Sequence, residues 1–154
     1  MKSRNVRPIT ILMAEDDPDD RELAREAFVE SRLINDLRFV ESGDELLDYL
    51  KRRGAYAAPG AAPTPGLVLL DLNMPGMDGR EALERIKSDP ALRHIPVVVM
   101  TTSRAEEDVL RSYQHGANSY ITKPVSFEGL GVVVRTLERY WLQIVDLPPG
   151  SGGT

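Results

Sequence analysis

Leu67-Val-Leu-Leu-Asp-Leu-Asn-Met-Pro-Gly-Met-Asp-Gly79 is the stretch that decides how this chain of 154 residues folds. Its first four residues make an apolar run too short for a helix, of the kind that fills a strand buried on both faces. Asp71 ends the run, and a turn rich in Pro and Gly follows at once. A carboxylate is thereby placed at the C-terminal end of a buried parallel strand, where open α/β sheets bind their ligands. Three other apolar runs end in the same manner. Residues 9–14 lead into Glu15 and Asp16, residues 96–100 into Thr101, and residues 120–122 into Lys123-Pro124. A parallel sheet brings its strand ends to one edge. Acid pair, aspartate, hydroxyl and lysine are therefore expected to meet there.

Between these runs the helix starts are well marked. Asp17-Pro18 supplies an N-cap and a first-turn proline, ahead of a helix to about Leu33. Ser42-Gly-Asp-Glu45 is a capping box before a helix to about Arg53. Asp78-Gly-Arg-Glu81 opens a helix through Lys87. Ser103-Arg-Ala-Glu106 is a second capping box, before a helix to Gln114 that Gly116 stops. Ser126 precedes a last helix to about Ile144, which ends before Pro148-Pro149. Strands are expected at 9–14, 37–40, 67–70, 97–100 and 120–122, with Asn118 and Ser119 as turn residues before the fifth. Five βα units in series predict an α/β fold, a five-stranded doubly wound parallel sheet with five helices. Residues 54–66, rich in Ala, Pro and Gly, read as a long surface loop within one domain. The domain is expected over 9–145, with an extension at 1–8 and a tail at 146–154 whose last five residues read as disordered.

Composition excludes several classes. The net charge of −5 gives no surface for a nucleic acid, which needs clustered Lys and Arg. The single basic triplet, Lys51-Arg52-Arg53, falls at a helix end, where cations suit the dipole. The chain has no Cys, so disulfides and thiolate metal sites are excluded. No apolar run approaches the ~20 residues of a membrane helix, and the charged N-terminus has no signal-peptide core. The cytoplasm is the expected location. His94 and His115 have no ligand spacing and read as surface residues.

The ordered set of motifs resembles the receiver domain of two-component response regulators, a flavodoxin-like (βα)5 fold, across residues 9–140. The resemblance rests on the acid pair Glu15-Asp16, on Asp71 with Met-Pro-Gly-Met-Asp-Gly behind it, on Thr101, and on Lys123-Pro124. It implies that Asp71 accepts a phosphoryl group from a histidine kinase. It implies that Glu15 and Asp16 hold Mg²⁺, that Thr101 and Lys123 contact the phosphate, and that Tyr120 is an aromatic switch.

The residues support that chemistry on their own terms. Three carboxylates crowded at one edge repel, which raises their pKa values or demands a cation. A hard, oxygen-rich site with few protein ligands suits Mg²⁺, which keeps waters and shares phosphate oxygens. Asp71 can attack phosphorus to give a mixed anhydride. The Asn73 backbone carbonyl, just past it, is placed to serve as a neutral metal ligand. Taken singly, each residue has a plainer reading. Acids after a strand are often N-caps, Asp71 could be a turn aspartate, Thr101 a β-former and Lys123 a solvated lysine. Only the constellation overturns these. A hydrolase with an aspartyl-phosphate is the rival. Haloacid-dehalogenase-type enzymes place a second Asp two residues after the nucleophile, and Asn73 stands there, unable to transfer protons.

The loop after Arg53, Ser88-Asp89-Pro90, Thr101-Thr102-Ser103 and the ending at 138–149 look like the small regulators paired with bacterial phytochrome histidine kinases. That likeness implies such a kinase as partner and signalling by protein contact, with a phosphate sink or relay as the alternative. The last helix carries Leu130, Val133, Val134, Leu137, Trp141 and Ile144 on one stripe for the sheet. Val132, Tyr140, Val145 and Leu147 are left over. They predict a two-fold homodimer through the last helix and the tail.

Overall fold

The computed structural model describes residues 10–29, 36–74, 76–77, 79–101, 117, 119–123, 132 and 135–136. Five strands, β1 (Thr10–Ala14), β2 (Asp36–Val40), β3 (Leu67–Asp71), β4 (Val97–Thr101) and β5 (Ser119–Thr122), form one parallel sheet in the order β2-β1-β3-β4-β5. This is the flavodoxin-like winding, in which the chain reverses direction across the sheet between β1 and β3. Helices α1 (Pro18–Val29), α2 (Gly43–Lys51) and α3 (Gly79–Ser88) follow the first three strands.

Strand alternation sorts the core into two layers. Leu12, Ala14, Val68, Leu70, Val97 and Val99 face Leu46, Leu47 and Tyr49 of α2 and Ala82, Leu83 and Ile86 of α3. Ile11, Met13, Leu67, Leu69, Val98 and Met100 face Ala24 and Phe28 of α1, together with Val132. The central strands β1, β3 and β4 are buried at every position, which is why they read as unbroken apolar runs. Each large aliphatic buried there stabilises the fold by roughly 1.5–3 kcal/mol. β2, at the edge, is buried only at Val40.

The predicted caps form, with one shift. Asp17 Oδ1 accepts from Asp19 N (2.8 Å), and Ser42 Oγ accepts from Glu45 N (3.0 Å). The return bond of the capping box runs to Glu41 N (2.8 Å), one residue before Ser42. α2 ends at Lys51, two residues earlier than expected. Arg52 turns the chain off in the left-handed region, with φ 54° and ψ 54°. Its guanidinium reaches Ala62 O (3.1 Å) and Thr64 Oγ1 (2.8 Å).

Those bonds fasten residues 54–66, a mostly exposed segment, to the rest of the fold. The segment begins with a 3-10 turn, Gly54–Tyr56, and buries Ala62 and Pro65. Tyr49 donates to Pro63 O (2.8 Å), Arg38 to Ala61 O (3.3 Å), and Gly66 N to Thr10 O (2.8 Å). The basic triplet is likewise engaged within the chain: Lys51 pairs with Asp89 (3.8 Å) and Arg53 with Asp48 (3.1 Å). Ser119, expected in a turn, belongs to β5, and its hydroxyl shares a hydrogen bond with Thr136 (3.1 Å). The end of the first helix at Leu33, the helix over 103–114, most of the last helix, Asp78, Pro124, His115, the extension 1–8 and the tail lie outside the described residues.

Candidate functional site

Helices leave β1 and β3 toward opposite faces of the sheet, so a crevice opens above these two strand ends. Ala14 pairs in register with Leu70. Glu15 and Asp71, one residue on, therefore stand side by side, and both are fully buried. Glu15 N continues the ladder to Val40 O (2.9 Å), and Arg21 Nη1 holds the Glu15 carbonyl (2.9 Å). Glu15 Oε2 accepts from Asp17 N (3.1 Å), while Asp17 caps α1. Thr101 closes β4, fully buried, its hydroxyl 3.4 Å from Ile121 O. Lys123 N bonds Thr101 O (2.8 Å), which fixes the lysine just past β5. The Asn73 side is more open: Asn73 is exposed, and its N–H donates to Asp71 Oδ1 (3.0 Å). Tyr120 is buried in the core layer of α2 and α3.

Of the side chains singled out from the sequence, Glu15, Asp16, Asp71 and Lys123 gather at the crevice, Thr101 ends the neighbouring strand, and Tyr120 lies in the core layer. Glu15, Asp16 and Asp71 each offer an oxygen within 4.8 Å of the others. Lys123 Nζ lies 3.1 Å from Asp71 Oδ2, 3.2 Å from Glu15 Oε2 and 3.1 Å from Asp20 Oδ2. Asp20 was not anticipated. It occupies the third position of α1, where an acid is an ordinary partner of the helix dipole, and that role masks any other. Its spacing from the acid pair, four residues after Asp16, was the available signal.

The charge balance is strained. Four carboxylates face one ammonium, whose three protons serve three of them. Glu15 Oε1 is 3.0 Å from Nζ yet receives no hydrogen bond. Burial, reinforced by the Asp71 charge, raises the Glu15 pKa from 4.5 to about 7, against the pull of the Asp17 N–H and Lys123. Burial works against the charge of Lys123 as well, but its bonds to Glu15 and Asp20 and the charge of Asp71 more than reverse that and push its pKa up. An oxygen-only donor set with a buried, unbonded carboxylate oxygen fits a hard divalent cation.

The response regulator receiver domain family matches residues 11–135. The chain belongs to that family. A similar relative is response regulator Rcp1 of Synechocystis, 39% identical over 148 residues, covering 96% of this chain and 99% of Rcp1. Its Mn²⁺-bound form has been solved, at 40% identity over 92% of this chain and 99% of that one, TM-score 0.70. The bacteriophytochrome response regulator RtBRR is 40% identical, with 85% of this chain and 78% of that one covered, TM-score 0.78. The phosphorylated cyanobacterial phytochrome response regulator RcpA is 42% identical, with 92% and 99% covered, TM-score 0.72. The protein is a phosphoacceptor receiver in two-component signalling, homologous to phytochrome response regulators. Among the described residues, no helix of this receiver is long and apolar enough to cross a membrane.

A pH dependence follows from Glu15. Its raised folded pKa means the folded receiver keeps a proton that the unfolded chain has released between pH 4.5 and about 7. The metal-free protein should lose stability as pH rises through that window. Divalent cations need the carboxylate, so their binding near pH 6 should release a proton. Melting in chelator at several pH values, and calorimetry in buffers of different ionisation enthalpy, check both. A flat stability profile with no proton release would contradict the assigned environment of Glu15.

Proposed function

We propose that Asp71 is the phosphoacceptor of this receiver and that a phytochrome-type histidine kinase is the donor. The observation that carries the reading is the buried Asp71 carboxylate in the β1–β3 crevice, with Lys123 at one oxygen and the Asn73 N–H at the other. In the transfer, an Asp71 oxygen bonds phosphorus as the P–N bond to the kinase histidine breaks, and the imidazole leaves with the electron pair. Glu15, Asp16 and Asp71, with the Asn73 backbone carbonyl, are the residues that would hold Mg²⁺, which when bound neutralises charge on the phosphoryl oxygens. Lys123 supplies a second positive charge, and Thr101 a hydroxyl donor to the phosphate. Positioning and charge neutralisation of this kind make up most of phosphoryl-transfer catalysis. Tyr120 serves as the switch that answers a movement of Thr101. The receiver unit spans 9–145, ahead of the tail 146–154. It works in the cytoplasm and passes its signal by protein contact, as a homodimer through the last helix and tail.

Two observations favour the phytochrome pairing. RtBRR and RcpA are phytochrome response regulators by name, and each is matched over most of its length. The deciding experiment is phosphotransfer from a purified phytochrome kinase and from unrelated histidine kinases, in the dark and under red and far-red light. Transfer to this receiver should be faster from the phytochrome kinase and should follow its light state. Equal labelling from every kinase, with no effect of light, would remove the pairing and leave the receiver. Sedimentation addresses the dimer separately: a monomer at roughly tens of micromolar, where a modest interface still holds, would count against it.

A further inference from the structure

Lys123 has three ammonium protons and three carboxylates around it, and these carboxylates are not equivalent. Glu15 and Asp71 belong, with Asp16, to the cluster that fits a divalent cation. Asp20 stands outside that cluster, on the first turn of α1, 3.1 Å from Nζ. Its neighbour Asp19 is exposed, and Glu22 pairs with Arg25 instead (3.4 Å). Among the described acids of α1, Asp20 is the one within reach of the lysine.

We infer that Asp20 is a positioning residue: it holds the Lys123 ammonium over Asp71 when Glu15 and Asp71 are engaged by a cation. The inference rests on the reading of Asp71 as phosphoacceptor. A divalent cation among Glu15, Asp16 and Asp71 draws on two of the three anchors of Lys123 and repels the ammonium. A lysine stem is flexible and holds one geometry only while something fixes its end. Asp20 remains, its negative charge favoured by the N-terminus of α1. Because Nζ is 3.1 Å from Asp20 Oδ2 and 3.1 Å from Asp71 Oδ2, a lysine held by Asp20 is already within reach of a group on Asp71. The pair is partly shielded from water, with side chains 17% and 22% exposed, so it holds better than a surface ion pair.

The test uses the full chain with acetyl phosphate, Mg²⁺ titrations and the variants Asp20→Asn, Asp20→Glu and Lys123→Gln. Asp20→Asn should lower the maximal phosphorylation rate about tenfold, as loss of 1.4 kcal/mol would, while the Mg²⁺ half-saturation moves less than about twofold. Asp20→Glu, which keeps the charge, should recover most of the rate. In chelator, Asp20→Asn should lower the melting temperature in the native background and not in Lys123→Gln, a coupling that a helix-dipole role alone would not produce. An unchanged or faster rate in Asp20→Asn, no difference between Asp20→Asn and Asp20→Glu, or equal melting shifts in both backgrounds would each overturn the inference. Asp71→Asn serves as the control on the underlying reading. If it still takes label, the acceptor is elsewhere; if it does not, failure at Asp20 stands alone.

Discussion

Asp71→Asn should take up no base-labile phosphate, from a kinase or from acetyl phosphate. The amide keeps the shape of the side chain and loses the nucleophilic oxygen. Its geometry in the crevice should persist, because a carbonyl oxygen can still accept from Asn73 N or from Lys123. The substitution also removes one of four crowded negative charges, including the one that helps raise the pKa of Glu15. In chelator the variant should therefore melt no lower than the native protein. That second measurement separates lost chemistry from lost folding. Labelling at normal stoichiometry would sink the assignment of Asp71. A variant that fails to label and melts several degrees lower would leave the electrostatic account of the crevice wrong.

How much of this was legible in the sequence depended on the range of the interactions involved. β1, β3 and β4 were readable because strands covered by helices on both faces need apolar residues at every position. Glu15, Asp71 and Thr101 were readable because each stands at the end of such a run, and Lys123 because it follows the shorter, partly buried β5; a parallel sheet aligns those ends without further information. Caps at Asp17 and Ser42 involve only two or three residues of chain, and they form as expected.

What escaped the sequence was set by longer reach. Arg52 ends α2 early in a left-handed conformation that costs a non-glycine residue about 1–2 kcal/mol. Its bonds to Ala62 and Thr64, ten and twelve residues on, offset that cost, and no local pattern announces them. The same holds for Tyr49 on Pro63 and Arg38 on Ala61, which fasten the long surface loop at points its composition does not announce. Ser119 entered β5 because pairing with Val98 outweighs its turn preference. Asp20 was hidden for the opposite reason: it satisfies a local rule so well that only its spacing from the acid pair hinted at the contact with Lys123, far along the chain.

Gly79→Ala should destabilise the receiver by about 2–3 kcal/mol and slow phosphorylation beyond what that loss explains. A Cβ at Gly79 would lie 2.6 Å from Asp71 O and 2.6 Å from Leu72 Cα. Both are backbone atoms of the segment that carries the acceptor, so no side-chain rotation relieves the contact. Gly76 makes a useful comparison. Its φ of +74° disfavours a side chain, but a Cβ there meets only the movable Asp44 carboxylate at 3.2 Å. Gly79 has instead a close-approach requirement, reinforced by its N–H to Leu72 O (3.0 Å), which closes the loop over residues 72–79. Forcing α3 away from β3 would strain that bond and the Asn73 N–H on Asp71 Oδ1 together. On a chain of this length the stability loss corresponds to a melting shift of about 5–10 °C. The phosphorylation rate, measured well below the melting point, should fall further, since displacing a reacting group by a fraction of an ångström costs positioning directly. Gly76→Ala should lose some stability while retaining most of the rate. If Gly79→Ala melts within a degree of the native protein and labels at the native rate, α3 does not rest on the acceptor's own backbone.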